Sequence, residues 1–406
     1  MSEQIPTTAV EADSPVPGVK RPVFIFGVVS FLTDISSEMV YPLVPLFLTS
    51  ALGVPLVAVG LIEGLAEGAA SVFKTVGGWA SDRLRMRRPL VFAGYALSAV
   101  AKPLLAAAST WPLVLGVRFG DRAGKGIRTA PRDAILADVT PPAERGRAFG
   151  FHRAADTLGA VVGPAVSLGL LAIFADNFRL IFLLAFIPAV AGVGLITLVR
   201  ERPPAAAAPA AGERGFRKMG RGFYVFLAVS LLFALGNSSD AFLLLRAKDV
   251  GLSTSEVVLS YMLFNLVYAA VAMPAGIASD RLGRRNVIAL GFAVYAAVYL
   301  GFGLVAGPAT IWPLFAVYGL YMALTEGVGR AFVADFVPSE RRATALGLYQ
   351  GAMGAMLLLS SVLAGLLWDL IGPAVPFYLG GATALAALVA LLVGLPRRPP
   401  ARVPPA

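Results

Sequence analysis

The 406-residue sequence contains no cysteine and only one histidine, His152. Without cysteine there is no disulfide framework, no thiol nucleophile and no thiolate metal site. The sequence also has no cluster of residues at metal-ligand spacing and no glycine-rich nucleotide loop of the Walker type. We therefore expect no metal ion and no ATP-driven chemistry. His152 lies beside Arg153, and a lone histidine there favours a structural role over a pH sensor.

Charge is also scarce, because charged residues make up only 14% of the chain and hydrophobic residues 57%. The mean hydropathy is +0.77. Crossing the hydrocarbon takes about 20 apolar residues, and uncharged runs of that length occur at 180–199, 257–279, 343–368 and 370–396. This composition excludes a soluble enzyme and predicts a multi-pass membrane protein that is not an enzyme.

The apolar segments predict an all-α membrane protein with twelve transmembrane helices in two pseudo-symmetric six-helix bundles. The predicted spans lie near 22–49, 55–80, 89–108, 111–138, 148–174, 180–199, 222–246, 254–279, 286–306, 311–334, 343–368 and 374–395. Pro and Ala with several charges between the halves indicate a linker. The predicted domains are a disordered tail at 1–21, bundles at 22–199 and 222–395, a linker at 200–221 and a tail at 396–406. The first tail lacks the pattern of a signal peptide.

The net charge of +10 is placed in alternate loops. Basic residues cluster near 83–88, 200–221 and 281–285, whereas the loops at 50–55, 109–110 and 307–310 have none. This positive-inside asymmetry predicts both termini in the cytoplasm and the chain in the inner or plasma membrane. Contacts with anionic lipid headgroups account for the basic loops, so we expect membrane lipids and no nucleic acid as partners.

One charged loop occurs twice, as Gly78-Trp-Ala-Ser-Asp82-Arg83 and as Gly276-Ile-Ala-Ser-Asp280-Arg281. The two aspartates are 198 residues apart, nearly half the chain, which indicates an internal duplication. The second copy continues as Leu-Gly283-Arg284-Arg285, and the first departs from it at Arg85 and Met86. This loop resembles the signature loop of the major facilitator superfamily. The resemblance implies the major facilitator fold and a latch in which loop acids bind arginines and helix ends across the two halves.

Charges within the predicted spans are costly, about 3 kcal/mol each on insertion scales, and so they mark candidate sites. The candidates for proton coupling or for the substrate cavity lie mostly in the first half. They are Asp34, Glu38, Glu63, Glu67, Lys102, Arg118, Arg122, Lys125, Asp240 and Glu326. A purely structural role is the alternative for several of them. Glu63 and Glu67 could be structural acids that neutralise Lys102 or the arginines, and Lys102 could snorkel to the surface.

Three further stretches resemble the twelve-helix drug/proton antiporters of that superfamily. They are Pro42-Leu-Val-Pro45, Arg122-Ala-Gly-Lys125-Gly126, and Gly159 followed by Gly163-Pro164. Lys125 replaces an expected glutamine, and Ser167-Leu168 replaces a closing glycine pair. Physically, the glycines allow a neighbouring helix to approach closely, and generic small-residue packing is the alternative explanation.

The resemblance implies a secondary transporter that exports a small amphipathic compound or drug against proton entry, with a role in drug resistance. Protons are the expected coupling ion, no cofactor is needed, and the family expectation is a monomer. The alternative is proton-coupled uptake of an anionic metabolite through Lys102, Arg118, Arg122 and Lys125. A sensor or scaffold without transport would leave the intramembrane charges without a purpose. A substrate site near the membrane midplane, between the two halves, is expected in either case.

Overall fold

The computed structural model describes residues 15–16, 19–84, 87–141, 144–174, 177–199, 219–337 and 342–395. Most of the predicted linker and of both predicted tails lies outside these residues. Within them, the regular structure is helical and contains no strand.

The first half holds six helices in the predicted order. Helix α1 covers Arg21–Ala51, α2 Leu56–Leu84, α3 Arg87–Ala107, α4 Trp111–Val139 and α5 Arg145–Phe174; α6 consists of Phe178–Leu184 and Phe186–Ile196. The second half repeats this arrangement. Helix α7 consists of Arg221–Ala234 and Ala241–Asp249, and α8 covers Thr254–Leu282, α9 Arg284–Leu304, α10 Ile311–Asp335, α11 Arg342–Leu370 and α12 Val375–Gly394.

Ten of these helices are long and apolar enough to cross a membrane. The other two are α4 and α7. Helix α4 carries several charges in its middle, and α7 is divided into two short segments. The prediction of twelve helices in two bundles is thus confirmed. We call the end of the bundle where α1 begins and α12 ends the basic face, because the arginine-rich loops lie there.

Helix α7 differs from the prediction of one continuous span over 222–246, because residues 235–240 are not helical. Gly236 weakens the helix at this point, and a Cβ there would lie 2.6 Å from Gly380 of α12. The freed backbone groups are bonded elsewhere, as membrane depth requires. The Tyr295 hydroxyl donates to the Gly236 carbonyl at 3.0 Å, and the Ser360 hydroxyl donates to that of Asn237 at 3.0 Å.

Helix α1 is also irregular near its far end. It passes through a 3₁₀ turn at Tyr41–Leu43 and a π-helical segment at Phe47–Ala51. Pro42 and Pro45 lie in this region, and each removes a backbone donor from the helix. The equivalent polar segment of α1, from Asp34 to Glu38, stays helical, in contrast to α7.

The two halves meet mainly where α2 packs along α11 and α5 along α8. Glycines bring the first pair into backbone contact. A Cβ at Gly64 would lie 2.7 Å from the Leu358 Cα, and a Cβ at Gly365 would lie 2.6 Å from the Val57 Cα. The interface depends on these small residues, since any larger side chain would separate the helices.

Asp369 of α11 caps the start of α2 across the interface between the halves. The backbone N–H groups of Leu56 and Val57 donate to its carboxylate at 3.1 and 2.8 Å. Helix α2 has no capping side chain of its own, because Pro55 precedes Leu56. A carboxylate here binds two otherwise unpaired donors and the positive end of the helix dipole. This contact holds the halves together at the face opposite the basic one.

We expect Asp369→Ala to open the face opposite the basic one more often, because a lost cap costs about 1 kcal/mol, or about fivefold in population. The chain has no natural cysteine, so Val44→Cys provides a single reporter at a fully buried position of α1. Labelling of this cysteine in detergent by a polar maleimide should accelerate about fivefold.

The control is Ser253→Ala in the same background. Ser253 caps α8 within its own half, through a reciprocal capping box with Glu256. Its loss should leave the labelling rate unchanged. Equal rates in the Asp369→Ala and Ser253→Ala proteins would show that the cap does not hold this face closed.

Candidate functional site

A cavity of about 510 Å³ lies between the two halves. The second half supplies most of its wall, including the rings of Phe226, Phe233, Phe292, Tyr318, Tyr321 and Tyr349. The first half contributes Tyr41, Glu67 and Ser71. The wall continues along α10 and α11 to Arg330 and Tyr349, close to the basic ends of these helices. The cavity therefore extends toward the basic face.

At the opposite face the cavity is closed by contacts between the halves. The Tyr261 hydroxyl of α8 donates to the Glu38 carboxylate of α1 at 2.6 Å. The rings of Tyr41 and Tyr261 lie 5.5 Å apart. Beyond them, buried apolar residues of α1 contact the second segment of α7. Together with the Asp369 cap, these contacts seal one end of the cavity.

Glu63 of α2 forms the most completely buried ion pair of the described residues with Arg118 of α4. The Arg118 guanidinium donates to the two carboxylate oxygens of Glu63 at 2.7, 2.8 and 3.2 Å. The two side chains are only 2% and 4% exposed. A pair with this geometry satisfies both charges in a medium that solvates neither. Glu63 does not line the cavity, so its position fits the structural interpretation.

Glu67, one helical turn further along α2, pairs with Arg122 at 3.0 Å. Its side chain is 32% exposed and lines the cavity. The Nε atom of Arg122 is buried and has no hydrogen-bond partner among the described residues. The Tyr41 ring lies 5.5 Å from this guanidinium and 5.8 Å from that of Arg118. The Glu67–Arg122 pair therefore makes fewer hydrogen bonds than the Glu63–Arg118 pair, and its acid is open to the cavity.

Lys102 of α3 is buried and pairs with Asp121 of α4 at 3.4 Å. Asp121 also lies 4.0 Å from Arg118. Burial and pairing are the opposite of a side chain that snorkels to the surface. Lys125 differs from Lys102, Arg118 and Arg122, the other predicted intramembrane cations. Its side chain is exposed and forms no ion pair with the residues that the structure describes.

Asp34 and Glu38 both lie where α1 contacts α5. A Cβ at Gly159 would meet the Asp34 Cβ at 2.9 Å, and a Cβ at Gly163 would meet the Glu38 Cβ at 2.8 Å. The two glycines of the antiporter-like stretch thus allow α5 to pack directly on these acids, and Pro164 follows within the same helix. The sequence did not single out Asp156 of α5, which accepts a hydrogen bond from Ser30 of α1.

The two predicted acids of the second half both line the cavity. Asp240 lies at the break in α7 and accepts a hydrogen bond from the Tyr318 hydroxyl at 2.6 Å. Glu326 of α10 accepts one from the Tyr268 hydroxyl at 2.8 Å and pairs with Arg330 one turn further on. The tyrosines were missed because their role depends on neighbours that lie far away in the sequence.

The duplicated loops clamp helix ends within each half. Arg87 pairs with Asp138, and Arg284 pairs with Asp335, in both cases across 51 residues of sequence. The following arginines bind the last turns of α6 and α12. Arg88 donates to the Thr197 carbonyl at 2.8 Å, and Arg285 donates to that of Leu392 at 2.6 Å. Cations are favourable at helix C-termini, so the repeated sequence produces a repeated clamp.

In the second loop, the described residues do not form the predicted latch across the halves. Asp280 is exposed and its ion pair, at 3.4 Å, is with Arg284 of its own half. Arg281 is exposed, and Gly276 has open space around it. Gly283, with φ of +88°, makes the tight turn that the sequence pattern requires. The cavity extends toward the basic face, so this loop has no contact across the halves among the described residues.

In the first loop, Gly78 packs against Ala130 of α4, where a Cβ would lie 3.3 Å from the Ala130 side chain. The Arg83 guanidinium lies 5.3 Å from the ring of Trp79. The side chain of Asp82 and residues 85–86, where the loop departs from the pattern, lie outside the described residues. Arg87 makes the pair that Arg284 makes in the second copy, so the first loop is one residue longer.

Two six-helix bundles around a cavity that is closed at one end define a transporter of the alternating-access type. The chain belongs to the Major Facilitator Superfamily, whose family model matches residues 26–246 and again residues 225–406. Membership of this family makes it a multi-pass membrane transporter of a small molecule, and not an enzyme.

The chain is similar to an uncharacterized MFS-type transporter of Methanocaldococcus jannaschii, with 35% identity over 385 residues, covering 92% of this chain and 95% of the relative. A shorter match, to the multidrug resistance protein MdtH of Yersinia enterocolitica, has 31% identity over 134 residues and covers 33% of each chain. Among solved structures, a POT family transporter in complex with a thioalcohol-conjugated peptide has a TM-score of 0.78 at 13% identity, covering 92% of this chain and 96% of that one. At this identity the likeness shows the fold alone.

We expect the two neighbouring acids of α2 to differ in their contribution to stability. Glu63→Gln removes the close ionic partner of buried Arg118 and leaves it only the 4.0 Å contact with Asp121, which costs about 3–5 kcal/mol. Glu67→Gln removes a partly exposed, single-point pair and should cost about 1 kcal/mol or less. Thermal unfolding of the purified proteins in detergent would give a much lower Tm for Glu63→Gln.

A double variant supplies the control. Glu63→Leu combined with Arg118→Leu removes both charges and should be more stable than Glu63→Gln alone, because no buried charge is left unpaired. Equal Tm values for Glu63→Gln and Glu67→Gln would contradict the assignment of Glu63 as the structural acid.

Proposed function

We propose that this protein exports a small amphipathic compound in exchange for protons, by alternating access across the cell membrane. The observation that carries the proposal is the position of Glu67. Its carboxylate lines the substrate cavity and is held by one arginine, Arg122, through a contact that leaves that guanidinium partly unpaired.

Protonation of Glu67 removes the charge that holds Arg122. The Arg122 guanidinium, which then lacks its ion-pair partner, is free to turn toward another acid. The neighbouring acids are Glu63, which is already paired with Arg118 of α4, and Asp121, which is already paired with Lys102 of α3. A proton on Glu67 therefore changes the partners of α4, and a bound ligand that contacts Glu67 competes with that proton. Asp34 and Glu38 are proposed as further proton or substrate contacts on α1.

The halves would rock about the α2–α11 and α5–α8 contacts, with the loop acids Asp82 and Asp280 closing the basic face in the other state. We propose that the basic face is cytoplasmic, since arginine-rich loops favour that side. Both termini would then be cytoplasmic in the inner or plasma membrane, and the protein would act as a monomer without nucleic-acid partners.

Export is favoured over uptake by two observations. The chain is similar to a multidrug resistance protein over about a third of its length. In addition, three of the four cations that would attract an anion are bound to acids of the first half, namely Lys102, Arg118 and Arg122.

Uptake of an anionic metabolite by proton symport is the second candidate. One observation favours it, since Lys125 is exposed and forms no ion pair with the described residues. The alternative would place the anion beside Lys125 of α4, which is not among the residues that line the cavity.

The direction of transport distinguishes the two candidates. We expect a proton gradient, acid inside, to drive accumulation of an amphipathic dye in everted vesicles, because an antiporter exchanges outgoing protons for entering dye, and the reverse gradient, acid outside, to drive none. Vesicles from cells lacking the protein are the control. Accumulation of organic anions under the reverse gradient, acid outside, with no dye accumulation when the lumen is acid, would instead support uptake by symport.

We expect Glu67→Gln to abolish pH-driven flux, because a permanently neutral side chain cannot alternate between a proton and Arg122. The measurement is dye flux into proteoliposomes with an imposed pH gradient. The protein should still insert and keep its Tm, because this acid is partly exposed. Exposed Glu256→Gln, in the capping box of α8, is the matched control and should transport normally. Undiminished proton-driven flux in the Glu67→Gln protein would end the proton assignment.

A further inference from the structure

The charges of the cavity wall are unevenly balanced. Three acids line it, Glu67, Asp240 and Glu326, against one cation, Arg330. Glu67 is paired with Arg122, and Glu326 is paired with Arg330. Asp240 pairs with no cation among the described residues, and its side chain accepts only the Tyr318 hydroxyl at 2.6 Å. The cavity thus contains one carboxylate whose charge the described part of the protein does not neutralise.

The position of Asp240 adds to this observation. It lies at the break in α7, where Asn237, Ser238 and Ser239 also line the cavity. The break is held by hydrogen bonds from other helices, so the carboxylate is presented by a fixed segment. A carboxylate at membrane depth without a counter-charge is expensive. A cationic ligand would supply the missing charge.

Aromatic rings line the same cavity. Phe233 and Phe292 are stacked with centroids 4.3 Å apart, and Tyr318 and Tyr321 lie 5.3 Å apart. The Asn237 amide donates to the Tyr321 hydroxyl at 3.4 Å and fixes that ring. Ring faces attract organic cations through their quadrupole and also bind flat apolar groups.

Size and charge restrict the ligand further. Cavities of about 300–1,000 Å³ suit drug-sized molecules, and this one has about 510 Å³. An anion of that size would lie against Asp240 and Glu67. The cation of the wall, Arg330, is engaged by Glu326 and lies toward the basic end.

We propose that the cavity binds a drug-sized organic cation, with Asp240 as its counter-charge and the second-half rings as the surface for its apolar part. This inference rests on the proposed function only in that the cavity is the substrate site. It adds the charge of the substrate and the residue that selects it.

The test uses two probe ions of the same shape and opposite charge, tetraphenylphosphonium and tetraphenylborate. Equilibrium dialysis of purified protein in detergent, without any pH gradient, measures their binding. We expect the wild-type protein to bind the cation at least about tenfold more tightly than the anion. This comparison needs no variant and so does not depend on how a variant folds. Equal or tighter binding of tetraphenylborate would overturn the proposal.

Variants of the carboxylate provide the second arm. Asp240→Asn should weaken binding of tetraphenylphosphonium at least about tenfold, whereas Asp240→Glu, which keeps the charge, should retain most of it. Glu256→Gln removes one carboxylate outside the cavity and should bind as the wild type does. Unchanged binding in folded Asp240→Asn protein would also overturn the proposal.

The result is separable from that of the flux experiments. Cation binding that depends on Asp240, combined with flux that ignores the pH gradient, would reject proton coupling and keep this inference. Proton-driven flux in a protein that prefers tetraphenylborate would reject this inference and keep proton coupling.

Discussion

An ionised side chain inside the bilayer needs a partner of opposite charge, and this requirement determines how the first half is assembled. Helices α2 and α4 run in the same direction, because each starts at the face opposite the basic one. Glu63 and Glu67 are four residues apart on α2, and Arg118 and Arg122 are four apart on α4. Equal spacing on parallel helices produces two rungs, Glu63–Arg118 and Glu67–Arg122.

The two rungs differ in solvent access, and this difference separates structure from transport. The Glu63–Arg118 rung has three hydrogen bonds and no contact with the cavity, so it holds the bundle together. The Glu67–Arg122 rung has one ion-pair contact, and its acid lies on the cavity wall, so this acid can exchange partners. The proposed proton site thus follows from which rung faces the cavity, since both use the same chemical groups.

Duplication gives the two halves the same framework and different interiors. The clamps by Arg87 and Arg284 repeat with the same separation from their acids. The polar segments of α1 and α7, in contrast, have similar sequences and different conformations. Asp34 to Glu38 stays helical against the glycines of α5, whereas the segment after Gly236 unwinds and presents Asp240 to the cavity. The second half therefore supplies most of the cavity wall, including its rings and the acid that has no cationic partner among the described residues.

The amino-acid sequence by itself determined the class of protein, the number and order of the helices, the internal repeat and the presence of charged residues within the predicted spans. These features depend on local composition and on spacing along one helix, which a sequence displays directly. The tertiary structure alone decided which acid pairs with which cation, that Asp369 caps α2 from the other half, and that Tyr41, Tyr261 and Tyr318 contact the site. Such contacts join residues that are tens to hundreds of positions apart, and their strength depends on burial and distance. The break in α7 belongs to the same group. Its backbone leaves the helix where Ser360 and Tyr295 donate hydrogen bonds to its carbonyls and where the Ser361 hydroxyl accepts one from the Ser239 N–H at 3.0 Å.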